Sequence, residues 1–427
     1  MKNWLLVFTI LSCFTLDAQQ RYGKTGPQVR ILNMDCLHDR GFTGKGVTIA
    51  HFDDGFDRIE KSRAFEYARK NNLLKGEYDF VFDKEDIDET GVGTHGFETA
   101  SVTHGYISGE FIGTAFDANI LLAHTEDNRT EKHVEEHNWR KAVDWAVENG
   151  ADIITSSLQY NEFDEGEYNY SYKDLNGRTT IITKAAEYAA DLGVLVVALQ
   201  GNFGDSDWRY LAAPGDAFSV ITVGAINEKG EKAPFSGFGP TVDGRIKPDV
   251  MAVGWNTAIY KVNNTVSYGN GTSYAAPAIA GLAACLKQAH PERTNFEIIS
   301  AIRQSTNRYL NPDIENGYGY GIPDACVADD ILTKIDNLVA ASKWVTAESG
   351  SLSCKTKEKS LEIKPTFGKR KIKEYVIYNS KEQVLHSFSK KTKSIDFSDY
   401  KEGHYLLKAI RKKGTPVVTN IYVNFLR

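Results

Sequence analysis

The chain has 427 residues, of which 41% are hydrophobic and 25% are charged, and its net charge at neutral pH is −6. This composition is that of a globular protein and excludes collagen-like and disordered chains. The acidic balance gives no basic surface, so we expect no nucleic-acid partner. The length predicts one large domain followed by a smaller one.

The first residues are typical of an export signal. Lys2 precedes an apolar run at 4–14, and Ala18 supplies a small residue at which cleavage is expected. The run is too short to span a bilayer. We therefore expect residues 1–18 to be a signal peptide, the Sec machinery to be a partner, and the protein to be secreted, extracellular or on the cell surface. Cys13 leaves lipidation as the alternative.

Along the following part of the chain, short apolar runs alternate with segments whose apolar residues recur with the period of an α-helix. Strands are predicted at 47–52, 115–123, 194–199 and 218–223, and helices at 139–148 and 180–192. This alternation predicts an α/β fold in which a parallel sheet is covered by helices on both faces. Ligands of such sheets bind beyond the carboxyl ends of the strands, so the residues after each strand are the candidates for function.

Ser273 lies in the run Gly271-Thr272-Ser273-Tyr274-Ala275-Ala276-Pro277, and the residues that follow are apolar on every side. This pattern predicts a buried helix with Ser273 in its first turn. A helix N-terminus offers free N–H groups and a partial positive charge, which suit a developing oxyanion. Taken alone, the serine fits an N-cap equally well.

Two further residues give Ser273 a chemical role. Asp53 ends the first predicted strand, and His95 follows a glycine-rich stretch. Serine becomes a nucleophile when a neutral imidazole takes its proton and a carboxylate orients that imidazole. Asn202 follows the strand at 194–199, and its side-chain amide can donate to the tetrahedral oxyanion. The sequence therefore predicts an Asp53, His95 and Ser273 triad with Asn202 as the oxyanion donor.

Residues 28–329 resemble the subtilases, the subtilisin-like serine endopeptidases. The resemblance rests on the run at 271–277, on His95-Gly96, on Gly201-Asn202 and on the chain order Asp, His, Ser. The stretch at 239–249 is similar to the branch common in Bacteroidetes. The resemblance implies a subtilisin-like peptidase domain at 19–341 that hydrolyses peptide bonds through an acyl-enzyme.

The same resemblance implies further properties of the site. Ser157, Leu158 and Gln159 would bind substrate by lining the edge that pairs with its backbone before the scissile bond. The substrates would be proteins or peptides, and we expect a monomer. No cofactor is expected to be required, and the resemblance allows a structural calcium ion.

Four residues depart from the family pattern, namely Asp54, Phe97, Gln159 and Gln200. Gln159 stands where the family usually has glycine, and Phe97 stands where it has threonine. If these two side chains block the cleft, the alternative is a secreted, inactive binding protein. Asp54 would raise the pKa of His95 if it pointed inward, but alternation along the strand predicts that it points away from Asp53.

A rival motif is present at His133-Val134-Glu135-Glu136-His137. Two histidines four residues apart on a helix, with a glutamate beside them, can hold the zinc ion of a peptidase. This hypothesis would use His133, Glu136 and His137. The alternative is a solvated helix face, because charged residues surround the pair.

Cleavage after Ala18 leaves Cys36, Cys285, Cys326 and Cys354. Export permits disulfide bonds, and four cysteines allow three pairings. Cys285 fits a small core residue at least as well as a bridge.

From 348 onward lysine is dense, and short β runs are predicted at 375–378, 404–407 and 417–423. They predict a small all-β C-terminal domain at 348–427. Its pattern resembles the sorting domain of the type IX secretion system of Bacteroidetes, which would make that machinery a partner. A soluble β module with protected edges is the alternative.

Overall fold

The structure is a computed structural model. It describes residues 21–87 and 93–339, followed by the segments 344–347, 352–357, 360–365, 372–379, 384–389, 391–392, 394–396, 403–411 and 417–424. The expected signal peptide at 1–18 lies outside the described residues. The chain divides into two compact units, one formed by Met1–Gly239 with Ile246–Asp330 and the other by Pro240–Arg245 with Ile331–Arg427.

The first unit alternates strands with helices. Its strands are β1 Thr48–Asp53, β2 Leu74–Asp79, β3 Tyr106–Ile107, β4 Phe111–Ile112, β5 Asn119–His124, β6 Ile153–Ser156, β7 Leu195–Leu199, β8 Val220–Ile226, β9 Val250–Val253, β10 Thr257–Tyr260 and β11 Val266–Gly269. The α-helices are α1 Gly26–Arg30, α2 Met34–Asp39, α3 Glu66–Lys70, α4 His95–His104, α5 His133–Glu148, α6 Ile181–Asp191, α7 Thr272–Ala289, α8 Asn295–Gln304 and α9 Ala325–Val339.

Seven of these strands form one parallel sheet in the order β2-β5-β1-β6-β7-β8-β9. Strand β1 has β5 on one side and β6 on the other, so the direction in which the chain adds strands reverses there. Open parallel sheets bind ligands at such a reversal, beyond the carboxyl ends of the strands. Asp53 is the last residue of β1 and therefore lies at this point.

The sheet is buried on both faces, which explains why its strands are nearly continuous apolar runs. On one face, Phe52 and Ala198 belong to a core cluster with Trp139 of α5 and Ile182 of α6. Burying side chains of this size contributes about 1.5–3 kcal/mol each. The α/β fold with helices on both faces is thus confirmed.

The opposite face carries the alternate residues of β1, and these meet α4. His51 and Asp53 of β1 contact His104 and His95 at the two ends of that helix. Gly96 permits this close packing, because a Cβ atom at this position would lie 2.8 Å from the Cβ of Asp53. Helix α7 packs on the same side of the sheet, against β6, β7, β8 and β9 as well as against α4.

Two predicted elements begin at residues well away from their starts in the structure. The strand predicted at 115–123 begins only at Asn119, because the residues before it form a turn. The helix predicted at 139–148 already begins at His133. The carboxyl group of Glu135 accepts a hydrogen bond from the backbone N–H of Lys132 and caps this earlier start.

The second unit contains antiparallel β structure. One sheet has the order β12-β19-β18-β15-β16 and another has the order β13-β14-β17. These strands are β12 Trp344–Ala347, β13 Leu352–Lys357, β14 Ser360–Pro365, β15 Ile372–Asn379, β16 Val384–Ser389, β17 Ser394–Asp396, β18 Gly403–Arg411 and β19 Val417–Asn424. Tyr375 and Ile377 are buried, and they pair with the buried Ala409 and Leu407. The predicted β runs at 375–378, 404–407 and 417–423 all lie within these strands.

A disulfide bond joins Cys36 of α2 to Cys326 of α9, which are 290 residues apart in the sequence. Cys285 of α7 forms no disulfide bond and is buried, which agrees with its interpretation as a core residue. Among the described residues, no helix combines the length and the apolar character that crossing a membrane requires.

Candidate functional site

The structure brings Asp53 and His95 into direct contact at the carboxyl end of β1. His95 Nδ1 lies 2.6 Å from Asp53 Oδ1. The other oxygen of Asp53 accepts a hydrogen bond from Thr99 Oγ1 at 2.9 Å, and Oδ1 also accepts one from the backbone N–H of Asp54. With a proton on Nδ1, the lone pair of His95 is on Nε2. Thr99 was not singled out from the sequence, although it stands one helical turn after His95.

The two groups shift each other's pKa. Burial alone would lower the pKa of His95, but the carboxylate of Asp53 outweighs it and raises the pKa to about 9. Burial alone would raise the pKa of Asp53, but the imidazolium and the three donors around the carboxylate lower it instead. Asp53 therefore stays ionised and favours a positive charge on His95.

Asp54 lies beside Asp53 and His95 rather than away from them, so the prediction from strand alternation is wrong. Strand β1 ends at Asp53, and alternation no longer applies to the next residue. Asp54 Oδ1 accepts hydrogen bonds from the backbone N–H groups of His95 at 2.9 Å and Gly96 at 3.3 Å. Asp54 thus caps the start of α4. Burial and the neighbouring Asp53 raise its pKa to about 6.

Ser273 is the second residue of α7, an 18-residue helix that is buried along most of its length. Pro277 lacks the N–H group that would normally bond to the carbonyl group four residues earlier. The carbonyl oxygen of Ser273 instead accepts a hydrogen bond from Ser157 Oγ at 2.8 Å. This bond fixes the backbone of Ser273 against the residues that follow β6.

Asn202 is held so that its amide nitrogen remains available. Its Oδ1 accepts hydrogen bonds from the backbone N–H of Thr272 at 2.8 Å and from Thr272 Oγ1 at 2.9 Å. A backbone N–H can only donate, so the side-chain atom that faces it must be the oxygen. The contacts with Thr272 therefore leave the NH₂ group of Asn202 unengaged. Thr272 was not singled out from the sequence, although it directly precedes Ser273.

The three residues predicted to bind substrate follow the end of β6. Within the described chain, Ser157, Leu158 and Gln159 pair with no neighbouring strand. The side chain of Leu158 is buried in the core under α5 and α6. Gln159 Oε1 accepts a hydrogen bond from the backbone N–H of Asn202 at 2.9 Å, so Gln159 bridges the two segments on either side of the site.

The expectation that Phe97 could block the cleft is wrong. Phe97 is fully buried and belongs to a core cluster, where its ring packs edge-on against Phe65 with 5.2 Å between the ring centres. Gln200 is also fully buried. Among the departures from the family pattern, Asp54 and Gln159 are therefore the ones that contact the candidate site.

The zinc hypothesis is wrong. Both ring nitrogens of His133 are engaged, Nδ1 with Glu136 Oε2 at 2.6 Å and Nε2 with the carbonyl oxygen of Tyr168 at 2.9 Å. The side chain of His137 is exposed. Glu136 is fully buried and accepts a hydrogen bond from the backbone N–H of Ile182 at the start of α6. The alternative of a solvated face is wrong for Glu135 and Glu136 as well.

Two groups of described side chains have ligand atoms close enough to hold a cation. One group is Asp53, Asp54 and His95, and the hydrogen bonds described above already explain why these side chains lie close together. The other is Glu126, Glu131 and Glu135, whose ligand atoms lie within 4.8 Å of one another. Burial raises the pKa of all three carboxyl groups, that of Glu131 to about 8. Because a protonated carboxyl group can share its proton with a neighbouring carboxylate, the three groups can also lie close together without a cation.

These contacts pair the Asp53 carboxylate with the His95 imidazole at the carboxyl end of β1. They also join the segment that carries Ser273 to the residues that follow β6 and β7. A carboxylate-bound imidazole can take the proton of a hydroxyl group. An amide and a helix N-terminus can stabilise the negative charge that forms on an attacked carbonyl group. The arrangement can therefore perform acyl transfer.

Comparisons with known proteins agree with this chemistry. The model of the Subtilase family matches residues 44–321, more than half of the chain. Serine protease AprX of Bacillus subtilis is 28% identical over 312 residues, which cover 66% of this chain and 66% of the relative. The subtilisin of Bacillus pumilus is 27% identical over 290 residues, which cover 66% of this chain and 92% of the relative. These matches support a serine-type endopeptidase.

Solved structures show the same fold. MycP1 with its N-terminal propeptide removed has a TM-score of 0.55 and 24% identity, over 71% of this chain and 96% of that one. The prenylagaramide maturation protease PagA has a TM-score of 0.55 and 22% identity, over 70% of this chain and 98% of that one. The family model, which matches more than half of the chain, shows that the chain belongs to the subtilase family of serine-type endopeptidases.

Proposed function

We propose that the chain is a secreted serine endopeptidase that cleaves proteins and peptides, with Asp53, His95 and Ser273 as its catalytic triad. The observation that carries this proposal is the contact of 2.6 Å between His95 Nδ1 and Asp53 Oδ1. It leaves Nε2 as a base next to the helix that presents Ser273. The family of the chain supports the same chemistry.

In this mechanism, His95 Nε2 takes the proton of Ser273 as Oγ attacks the carbonyl carbon of the scissile bond. The negative charge that forms on the carbonyl oxygen is stabilised by the amide of Asn202 and the backbone N–H of Ser273. His95 then gives its proton to the leaving amine. Water hydrolyses the resulting acyl-enzyme, with His95 as the base again.

The substrate would pair with the backbone of Ser157, Leu158 and Gln159. This proposal is supported by their lack of a partner strand in the described chain and by the hydrogen bond between Ser157 and the carbonyl oxygen of Ser273. No step needs a cofactor. The Glu126, Glu131 and Glu135 cluster is the place where a structural calcium ion would find carboxylate ligands.

The direct test is hydrolysis of an unfolded protein by the wild type and by Ser273→Ala. We expect the variant to lose about 10⁶-fold in kcat, the magnitude seen in subtilisin, a relative of this chain. The proposal fails if the two proteins cleave at the same rate, or if neither cleaves.

We further propose that the chain is a monomer, with a signal peptide at 1–18, a peptidase domain at 19–341 and a C-terminal β domain at 348–427 that directs type IX export. The antiparallel sheets of the second unit support a separate β domain. Removal of 348–427 should leave the enzyme inside the cell envelope of a Bacteroidetes host, whereas the full chain should reach the medium or the cell surface. Export of the truncated chain to the medium would contradict the sorting role.

A further inference from the structure

The proposed base and nucleophile lie on two helices, α4 and α7, and two side-chain hydrogen bonds join these helices. Near the site, the hydroxyl group of Tyr274 donates to Glu98 Oε2 at 2.8 Å. Farther along both helices, Thr103 Oγ1 donates to the carbonyl oxygen of Pro277 at 3.0 Å. The first bond connects two residues that are close in the chain to the proposed base and nucleophile, because Glu98 is one turn after His95 and Tyr274 follows Ser273.

The carboxyl group of Glu98 is buried and serves as a hydrogen-bond acceptor. Its side chain is only 7% exposed, and Lys261 Nζ lies 2.5 Å from its other carboxyl oxygen. A buried carboxyl group is costly unless such partners satisfy it. Its backbone carbonyl accepts a hydrogen bond from Ser101 Oγ, which in turn accepts one from the backbone N–H of Tyr260. Glu98 is thus tied to the hairpin formed by β10 and β11.

Tyr274 is enclosed by the same hairpin. A Cβ atom at Gly269, the last residue of β11, would lie 2.4 Å from Cε2 of the tyrosine ring, so only glycine leaves room for this ring. Burial raises the pKa of Tyr274, whose hydroxyl group therefore keeps its proton and donates a hydrogen bond to Glu98. The ring centres of Tyr274 and His95 are 5.8 Å apart.

We propose that Glu98 and Tyr274 are positioning residues that hold His95 and Ser273 in reacting geometry. Neither touches the reacting atoms. The bond between them fixes the first turn of α7 relative to the first turn of α4, while Lys261 and Gly269 keep the carboxyl group and the ring in place. This inference rests on the proposed function.

The test is Tyr274→Phe, which keeps the ring and removes the donor. A displacement of about 1 Å at the reacting atoms can cost about 100-fold in rate, so we expect kcat to fall about 10- to 100-fold. KM should change less than about twofold, because the residues that bind the substrate are untouched. Labelling of Ser273 by a fluorophosphonate should slow by the same factor as kcat.

Glu98→Gln is the conservative partner of this variant. The glutamine oxygen can still accept from Tyr274 but the amide cannot form an ion pair with Lys261. Its kcat should therefore lie between those of the wild type and Tyr274→Phe. If Tyr274→Phe does not fold, Glu98→Gln decides the matter, and a kcat equal to that of the wild type overturns the proposal.

Thr103→Val is the matched control, because it removes the other hydrogen bond between α4 and α7. It should lower the unfolding temperature but leave kcat unchanged at temperatures where the protein is folded. Equal losses of kcat in Thr103→Val and Tyr274→Phe, or none in Tyr274→Phe, would overturn the positioning role. Ser273→Ala separates the two proposals. Full activity of this variant, or a wild type that does not cleave, would defeat the proposed function itself, whereas the results for Tyr274→Phe and Thr103→Val test only the positioning role.

Discussion

At the residue scale, the environment of His95 determines how the activity depends on pH. The carboxylate of Asp53 outweighs the effect of burial and raises the pKa of His95 to about 9. Only the neutral imidazole can take the proton of Ser273, so kcat/KM should rise with pH to a midpoint near 9. A pH profile on a peptide substrate measures this. A midpoint near the ordinary value of 6.5 would contradict the electrostatic account.

Asp54 contributes to the same shift, and Asp54→Asn isolates its charge. The asparagine oxygen can still accept from the N–H groups of His95 and Gly96, but the negative charge beside the imidazole is gone. Because that charge favours the imidazolium, we expect the midpoint of the kcat/KM profile to move to lower pH. An unchanged midpoint would show that Asp54 acts only as a helix cap.

The sequence alone predicted catalytic roles for Asp53 at the end of a strand, for His95 after a glycine-rich stretch and for Asn202 after another strand. It did not identify residues whose role depends on a distant contact. Glu98 and Tyr274 are 176 residues apart, and Asn202 and Thr272 are 70 apart. Such partners are brought together only by the packing of whole elements, which local patterns do not reveal.

At the scale of the element, Glu136 joins two helices. Its carboxyl group contacts His133 in α5 and accepts hydrogen bonds from Tyr170 and from the backbone N–H of Ile182 in α6. Glu136→Ala should lower the free energy of unfolding by about 3–5 kcal/mol, because it leaves buried donors without a partner. Urea unfolding measures this loss.

Glu148 is the control for this experiment, since it lies exposed at the end of the same helix. Glu148→Ala should change the free energy of unfolding by no more than about 0.5 kcal/mol. Equal stability of the two variants would contradict the structural role of Glu136. The sequence predicted a solvated face here because charge patterns do not distinguish an exposed carboxylate from one that caps a neighbouring helix.

At the scale of the whole molecule, the disulfide bond between Cys36 and Cys326 closes a loop of 290 residues. Loss of a native disulfide typically costs about 2–5 kcal/mol, and the effect grows with the size of the loop. We expect Cys326→Ser to unfold at a correspondingly lower urea concentration than the wild type. In the presence of a reductant, the wild type should unfold at the same urea concentration as the variant. A reductant that lowers the stability of Cys326→Ser just as much would contradict this assignment.

The overall organisation was predictable because it follows from periodicity. Alternating strands and helices predicted the parallel sheet, and the lysine-rich β runs predicted the β structure near the C-terminus. The order of the seven strands was not predictable in this way, because it depends on which apolar faces pack together. The pairing of Cys36 with Cys326 depends likewise on the placement of α2 and α9.

The most direct test of the central claim is the stoichiometry of labelling by a fluorophosphonate, measured by mass spectrometry alongside protease activity. We predict one label per chain, on Ser273, and loss of activity in proportion to labelling. Ser273→Ala should take up no label, and 1,10-phenanthroline, a zinc chelator, should leave the activity of the wild type unchanged. Activity that survives complete labelling of Ser273, or that disappears with the chelator alone, would contradict a serine mechanism.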